Sequence, residues 1–185
     1  MRLKALTVLT LLGVMSATSL TIAADASDIE KHRERAKGFL GELRTRLQAA
    51  MAESPMAAVA VCQSEAPKIA KHWSSEGYVV RRTASRVRRA DNGPTAQDLA
   101  TIERFAVRLA AGESAIGIEE FVAEDGGQSR YARALVTEPT CLVCHGENIA
   151  PAIVASIDAS YPQDRARGFR LGDLRGIVVV ESMKP

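Results

Sequence analysis

Apolar positions along the chain recur in two periods, and the change from one to the other marks the elements. From Asp28 to Ala52, Ile29, Ala36, Phe39, Leu40, Leu43, Leu47 and Met51 fall at spacings of three, four and seven, which is one face of a helix. Ser27 or Asp28 is placed to cap it. The stripe predicts a core-facing helix, with a coiled-coil dimer arm as the alternative. Ser54-Pro55 opens a second, short helix through Val61. A third runs from Pro67 through Ile69, Ala70 and Trp73 to a stop at Gly77. Between them, Ala66-Pro67 argues against unbroken helix across Cys62, because proline disfavours helical geometry in the residue before it. Cys62 is therefore expected at a helix end or bend.

After Gly77 the chain reads as strands interleaved with turns. Tyr78 to Thr83 is β-branched or aromatic enough for a strand, and Asn92-Gly93-Pro94 is a turn. Thr95 caps a helix with Asp98 in its first turn, and Leu99, Ile102, Phe105, Ala106 and Leu109 line one face until Gly112. Gly117 to Gly127, acidic and ending in a glycine pair, has the composition of a loop or hairpin. Ser129 to Val136 alternates Tyr131, Arg133 and Leu135 with Ala132, Ala134 and Val136, as a strand does. Pro151 to Ser160 should be helical, ended by Tyr161-Pro162, and Leu174 to Glu181 is the strongest strand in the chain. Helices and strands segregate instead of alternating, which favours an α+β fold with an antiparallel sheet.

Charge and composition then narrow the setting. Arg2 and Lys4 precede an apolar run from Ala5 to Val14 and small residues up to Ala23-Ala24, the pattern of a secretory signal peptide over residues 1–24. Cleavage after Ala24 or after Ala26 fits equally, and an uncleaved anchor is the alternative. The full chain of 185 residues carries 24 Lys and Arg against 22 Asp and Glu, and two of those basic residues belong to the leader. The mature chain, residues 25–185, is thus formally neutral, which removes the electrostatic case for a nucleic-acid or anionic-membrane partner. It is long enough for one domain with one core. Aromatic residues make up 4% of the chain, so that core must be mostly aliphatic.

The chemistry is concentrated in Cys141-Leu142-Val143-Cys144-His145, a C-x-x-C-H box. Two thiols two residues apart can each bond a different haem vinyl group, and the next residue offers an imidazole to the iron. The box thus predicts covalent haem c, one per chain, tethered by Cys141 and Cys144 with His145 as an axial ligand. A thioredoxin-like pair leaves the adjoining histidine without a role. A zinc site would have to recruit two more ligands from Cys62, His72 and His32 alone. From chemistry alone the second axial ligand is a Met, a His, a Cys or nothing, with Met51, Met56, Met183, His32 and His72 all available. His32, near a helix start, is expected to be solvated, and His72 to be a partly buried structural residue.

The box has a recognisable context. Tyr131 to Pro139, the box itself, Tyr161-Pro162-Gln163-Asp164, Gly168-Phe169 and Leu171-Gly172-Asp173-Leu174-Arg175-Gly176 resemble the Tll0287-like family of monohaem c-type proteins. Upstream, Val61-Cys62 with Ala66-Pro67, Arg82-Thr83 and Asn92-Gly93-Pro94 extend the resemblance over nearly all of the mature chain. The resemblance implies a PAS-like antiparallel sheet preceded by helices. It also implies His/Cys ligation, with Cys62 opposite His145. Without it, Cys62 is an odd thiol in an oxidising compartment, either buried as a small apolar side chain or used in an intermolecular disulfide.

The arginine-rich stretch Arg81, Arg82, Arg86, Arg88 and Arg89 reads either as a solvated basic face or as the source of one or two partners for haem propionates, with Arg82 the position that matches the family pattern. Glu147 and Asp164 are expected to be solvated or structural. With both axial positions filled, the expected activity is one-electron transfer or redox sensing in the periplasm or outside the cell, with an unidentified redox or signalling partner and no catalytic turnover. The alternative is a haem-based gas or redox sensor acting through a separate signalling protein. A peroxidase would need an open iron position and a distal acid/base group that the sequence does not identify.

Overall fold

A computed structural model describes residues 17–123 and 127–183, with side chains from Ala26 onward. Residues 1–16 of the expected leader and residues 124–126 of the expected acidic loop or hairpin lie outside the described residues. Helix α1 (Ala17–Glu53) runs without a break past Ala24 and Ala26. Its buried stripe is His32, Ala36, Phe39, Leu43 and Ala50, the face that the sequence periodicity marks.

Helix α2 (Pro55–Ser64) starts as expected: the Ser54 side chain accepts a hydrogen bond from the Ala57 amide, and Pro55 occupies the first turn. Helix α3 (Ala66–Trp73) follows after a bend at Glu65, and Cys62 falls within the last turn of α2, a helix end as expected. The position of the bend has a covalent cause. Pro67 lacks the N–H that would bond the Gln63 carbonyl four residues earlier, and its ring crowds that carbonyl. Arg89 Nη1 donates to the freed Gln63 oxygen instead, at 3.1 Å.

Strand β1 (Tyr78–Thr83) has the predicted bounds. Helix α4 (Ala96–Ala110) opens with a complete capping box, in which Thr95 and Asp98 exchange side chain to backbone hydrogen bonds. The segment read as a loop or hairpin contains strand β2 (Glu119–Ala123), which pairs with β3 (Ser129–Val136). The single-turn helix α5 (Leu142–His145), helix α6 (Pro151–Ser160) and strand β4 (Leu174–Ser182) complete the chain.

The four strands form one antiparallel sheet in the order β1-β4-β3-β2, so the last strand of the chain lies in the middle. That position explains its composition. Val178 and Val180 face a cluster with Phe39, Leu43, Ile69 and Tyr131 under α1 and α3, while Ile177 and Val179 face Phe105 and Ile118 on the α4 side. A strand covered on both faces must be apolar at successive positions, not at alternate ones. A third cluster, Val59, Ile153, Ile157 and Tyr161, joins α2 to α6 beyond the sheet. Among the described residues no helix is long and apolar enough to cross a membrane.

One irregularity interrupts the sheet near the start of β4. The β3–β4 register passes from Leu135↔Gly176 directly to Val136↔Leu174, leaving Arg175 as the extra residue of a bulge. Gly176 makes the bulge possible. Its φ is +152°, and a Cβ there would lie 2.3 Å from the Thr83 carbonyl oxygen of β1.

Candidate functional site

Strand β3 delivers the chain directly to the C-x-x-C-H box. Thr137, just past the strand, is fixed to the return segment by two backbone bonds, Thr137 N to Asp173 O at 2.8 Å and Gly172 N to Thr137 O at 2.9 Å. Pro139 then starts a tight turn that continues as α5, so Cys141, Cys144 and His145 lie on consecutive turns of one short coil. Gly146 ends it, since a Cβ there would meet the Leu142 carbonyl oxygen at 2.6 Å. The segment after α6 clamps the box from outside, through Phe169 N to His145 O and Gly168 N to Gly146 O, both 3.0 Å.

His145 faces a cleft between the sheet and the α2/α6 cluster, and Cys62, Arg82, Arg88, Tyr161 and Arg175 line the same cleft. Phe39, Ala66, Pro67 and Ala70 give it an apolar wall. The His145 ring has one polar partner of clear role: Nδ1 donates to the Ala166 carbonyl at 2.7 Å. That bond fixes the tautomer and leaves the lone pair on Nε2, while Arg175 Nη2 sits against the ring at 3.2 Å from Nδ1 and 3.4 Å from Nε2. Burial, followed by the charges of Arg175, Arg88 and Arg82, pushes the His145 pKa well below its ordinary value and keeps the ring neutral. All three cysteines are free thiols, and burial raises the Cys144 pKa, with Cys62 and Cys141 adding to the shift against the pull of Arg88.

Positive charge dominates the cleft, whose lining carries Arg81, Arg82, Arg88, Arg89 and Arg175 against Asp91. Among the described residues, neither Arg82 nor Arg175 has a carboxylate within ion-pair distance, although Arg175 lies deep in the cleft. Burial, then repulsion from Arg82 and Arg88, lowers the Arg175 pKa to about 9. The other arginines of the basic stretch are committed. Arg81 pairs with Asp98 and Glu181, and Arg86 donates to the Arg167 carbonyl and stacks on Phe169. Arg88 pairs with Asp164, and Arg89 with Asp91 and the Gln63 carbonyl. The solvated basic face is therefore not what forms. A cleft with an apolar wall, a neutral imidazole, a thiol and surplus guanidinium charge suits a flat, largely apolar group carrying carboxylates.

The other candidate ligands lie elsewhere. His32 is fully buried, not solvated, because α1 begins well before it and places it against the sheet. There Nδ1 bonds the Asp28 carbonyl at 2.8 Å, Nε2 meets Ser129 Oγ at 3.2 Å, and Tyr78 and Phe121 pack edge-on. His72 is exposed, not partly buried, and rests on the edge of Trp73. Met56 and Met183 are exposed. The histidines that a zinc site would need thus sit apart from the cysteines, and no group of three or more His, Cys, Asp or Glu among the described residues is arranged to hold a bare metal ion. Glu147 is an exposed partner of Arg170, and Asp164 is a buried structural carboxylate, as expected. Arg175 is the site residue that sequence reasoning missed. Its signal was a charged residue followed by glycine inside an otherwise apolar strand, the mark of a bulge.

Comparison with known proteins adds three findings. The model of the Tll0287-like family matches residues 11–182. Among solved structures, the crystal structure of the cyanobacterial heme-protein Tll0287 is similar to this chain with a TM-score of 0.59 and 26% sequence identity, covering 92% of this chain and 98% of that one. A comparison with curated proteins finds no match.

Proposed function

The chain belongs to the Tll0287-like family, and from that premise we propose that it is a c-type monohaem protein for one-electron transfer or redox sensing. The observation that carries this reading is the cleft itself, in which Cys62 and His145 share one wall-to-wall space with the box cysteines on the adjoining turn. Haem would be held through Cys141 and Cys144, with His145 and Cys62 as the iron's protein ligands and Arg82 and Arg175 as counter-charges for its carboxylates. When bound, haem supplies a one-electron couple at the iron.

The protein's own part is to prepare the site. The Ala166 carbonyl holds the imidazole in the tautomer that presents Nε2. Arg82 and Arg175 supply positive charge that has no carboxylate within ion-pair distance among the described residues, and the apolar wall would exclude water from a bound ring. With both Cys62 and His145 engaged in holding the group, its chemistry would be electron exchange, without oxygen or peroxide turnover. In this reading the leader directs it to the periplasm, where it meets a separate redox or signalling partner.

Thioether bonds survive denaturation, which gives a direct test. Haem should stay with the polypeptide on a denaturing gel, and Cys141→Ala or Cys144→Ala should weaken or abolish that retention. Haem extracted from the wild-type protein by acid-acetone would overturn the covalent assignment.

A further inference from the structure

The side chain of Asp164 is 1% exposed, a deep burial for a carboxylate. Its Oδ1 accepts from the Ala166 amide at 2.9 Å, closing a turn of the Asx type, and from Arg88 Nε at 3.1 Å. Its Oδ2 accepts from Arg167 Nε at 2.6 Å. Two arms run from this carboxylate to neighbouring residues of the box. Through the Ala166 turn it aims the carbonyl that accepts the His145 Nδ1 proton. Through Arg88 it aims a guanidinium whose Nη2 donates to the Cys144 carbonyl at 2.6 Å.

The box needs such support. Helix α5 is one turn long, too short to hold its own conformation, and the carbonyls at its end have no partners within the helix. A buried carboxylate that has already been desolvated and tied by three donors is a rigid reference point for both arms. Asp164 burial raises its pKa, but the Ala166 amide, Arg167 and Arg88 outweigh this and keep the group ionised.

We propose that Asp164 is the positioning residue of the haem site, acting on His145 through the Ala166 carbonyl and on Cys144 through Arg88. This rests on the haem reading. An imidazole whose Nδ1–H is held by a well-aimed acceptor is the stronger donor through Nε2, and a stronger donor favours ferric iron.

The test uses the haem-loaded full chain and two variants that separate geometry from charge. Asp164→Asn keeps an oxygen for the Ala166 amide and removes the charge, whereas Asp164→Ala removes both. The readouts are the midpoint potential, the ferric paramagnetic resonance spectrum and the hydrogen exchange rate of the His145 Nδ1–H. Asp164→Ala should raise the potential, alter the ferric spectrum and speed that exchange. Asp164→Asn should raise the potential less and leave the exchange near that of the wild type. Arg167→Gln removes one partly exposed partner of Asp164 and should speed the His145 Nδ1–H exchange by a smaller factor than Asp164→Ala. It carries the test if the Asp164 variants do not fold. Equal potentials in Asn and Ala with unmoved exchange would mean that charge alone acts, and would overturn positioning. Wild-type behaviour of haem-loaded Ala, or of Arg167→Gln where only that variant folds, would overturn it too. A wild-type chain that carries no haem would instead sink the underlying haem reading, and this proposal with it.

Discussion

A thiolate sulfur donates more strongly to ferric than to ferrous iron, so under the proposed ligation Cys62 would set which oxidation state the site prefers. Cys62→Ser, which replaces that donor with a weak hydroxyl, should change the ferric optical spectrum and raise the midpoint potential. An unchanged ferric spectrum would assign the second ligand elsewhere. Carbon monoxide binding only after reduction would show that the sulfur is released, and would favour a redox switch over a simple carrier. Much of this site was readable from single residues. The box carries its chemistry in its spacing, and Cys62 stands out as the third cysteine. Arg175 was harder to read, because the charged residue before Gly176 hints at a bulge but only the register shift in the sheet brings it to the cleft. His32 was misread for a related reason: burial of a polar residue at a helix start depends on what packs there, and its partner Ser129 lies 97 residues away in the chain.

Elements were more legible than the contacts between them. The helical stripe of α1, the capping box of α4 and the apolar run of β4 each follow from local pattern, and each forms where expected. Cys62 lies at a helix end, as Ala66-Pro67 implied, with the bend itself three residues on at Glu65. Close packing of elements left a weaker trace. Gly38, in the middle of α1, reads locally as a poor helix former, yet a Cβ at that position would lie 2.0 Å from the Trp73 ring. The ring is also anchored, with Nε1 donating to Glu42 at 3.0 Å. Gly38→Ala would gain up to about 1 kcal/mol in helix propensity but incur an overpacking cost of about 1–3 kcal/mol. The expected net result is a lower urea midpoint with an unchanged slope. Because α3 carries part of the apolar wall of the cleft, the haem spectrum of the same variant should broaden or shift. A midpoint equal to or above that of the wild type would show that α1 and α3 separate at little cost.

At the scale of the whole molecule, the sheet, α4 and the cleft are joined by one buried ionic network. Asp98 of α4 is fully buried and accepts from Arg81 of β1 at 2.8 and 3.0 Å and from Arg130 of β3 at 2.8 Å, while Glu181 of β4 accepts from Arg81 at 3.0 Å. Arg81 also lines the cleft. Burial pushes the Asp98 pKa up, but Arg81, the Thr95 amide and Arg130 outweigh it and hold the carboxyl at about 2. A carboxyl depressed on folding contributes stability that is complete above its unfolded pKa, roughly 4, and is lost as pH falls through the folded value. The shift corresponds to about 2 kcal/mol present at neutral pH and lost progressively as acid is added from pH 4 towards pH 2. Asp98→Asn should therefore cost stability at pH 7, by about 3–5 kcal/mol if both guanidiniums are left short of a counter-charge. It should also flatten the acid limb of the stability profile. Glu119 and Asp164, likewise held down against their burial, will keep part of that limb in the variant. Urea unfolding at pH 7, 4 and 3 separates these contributions, and an Asp98→Asn profile parallel to that of the wild type throughout would show that the network is not what ties acid stability to the fold.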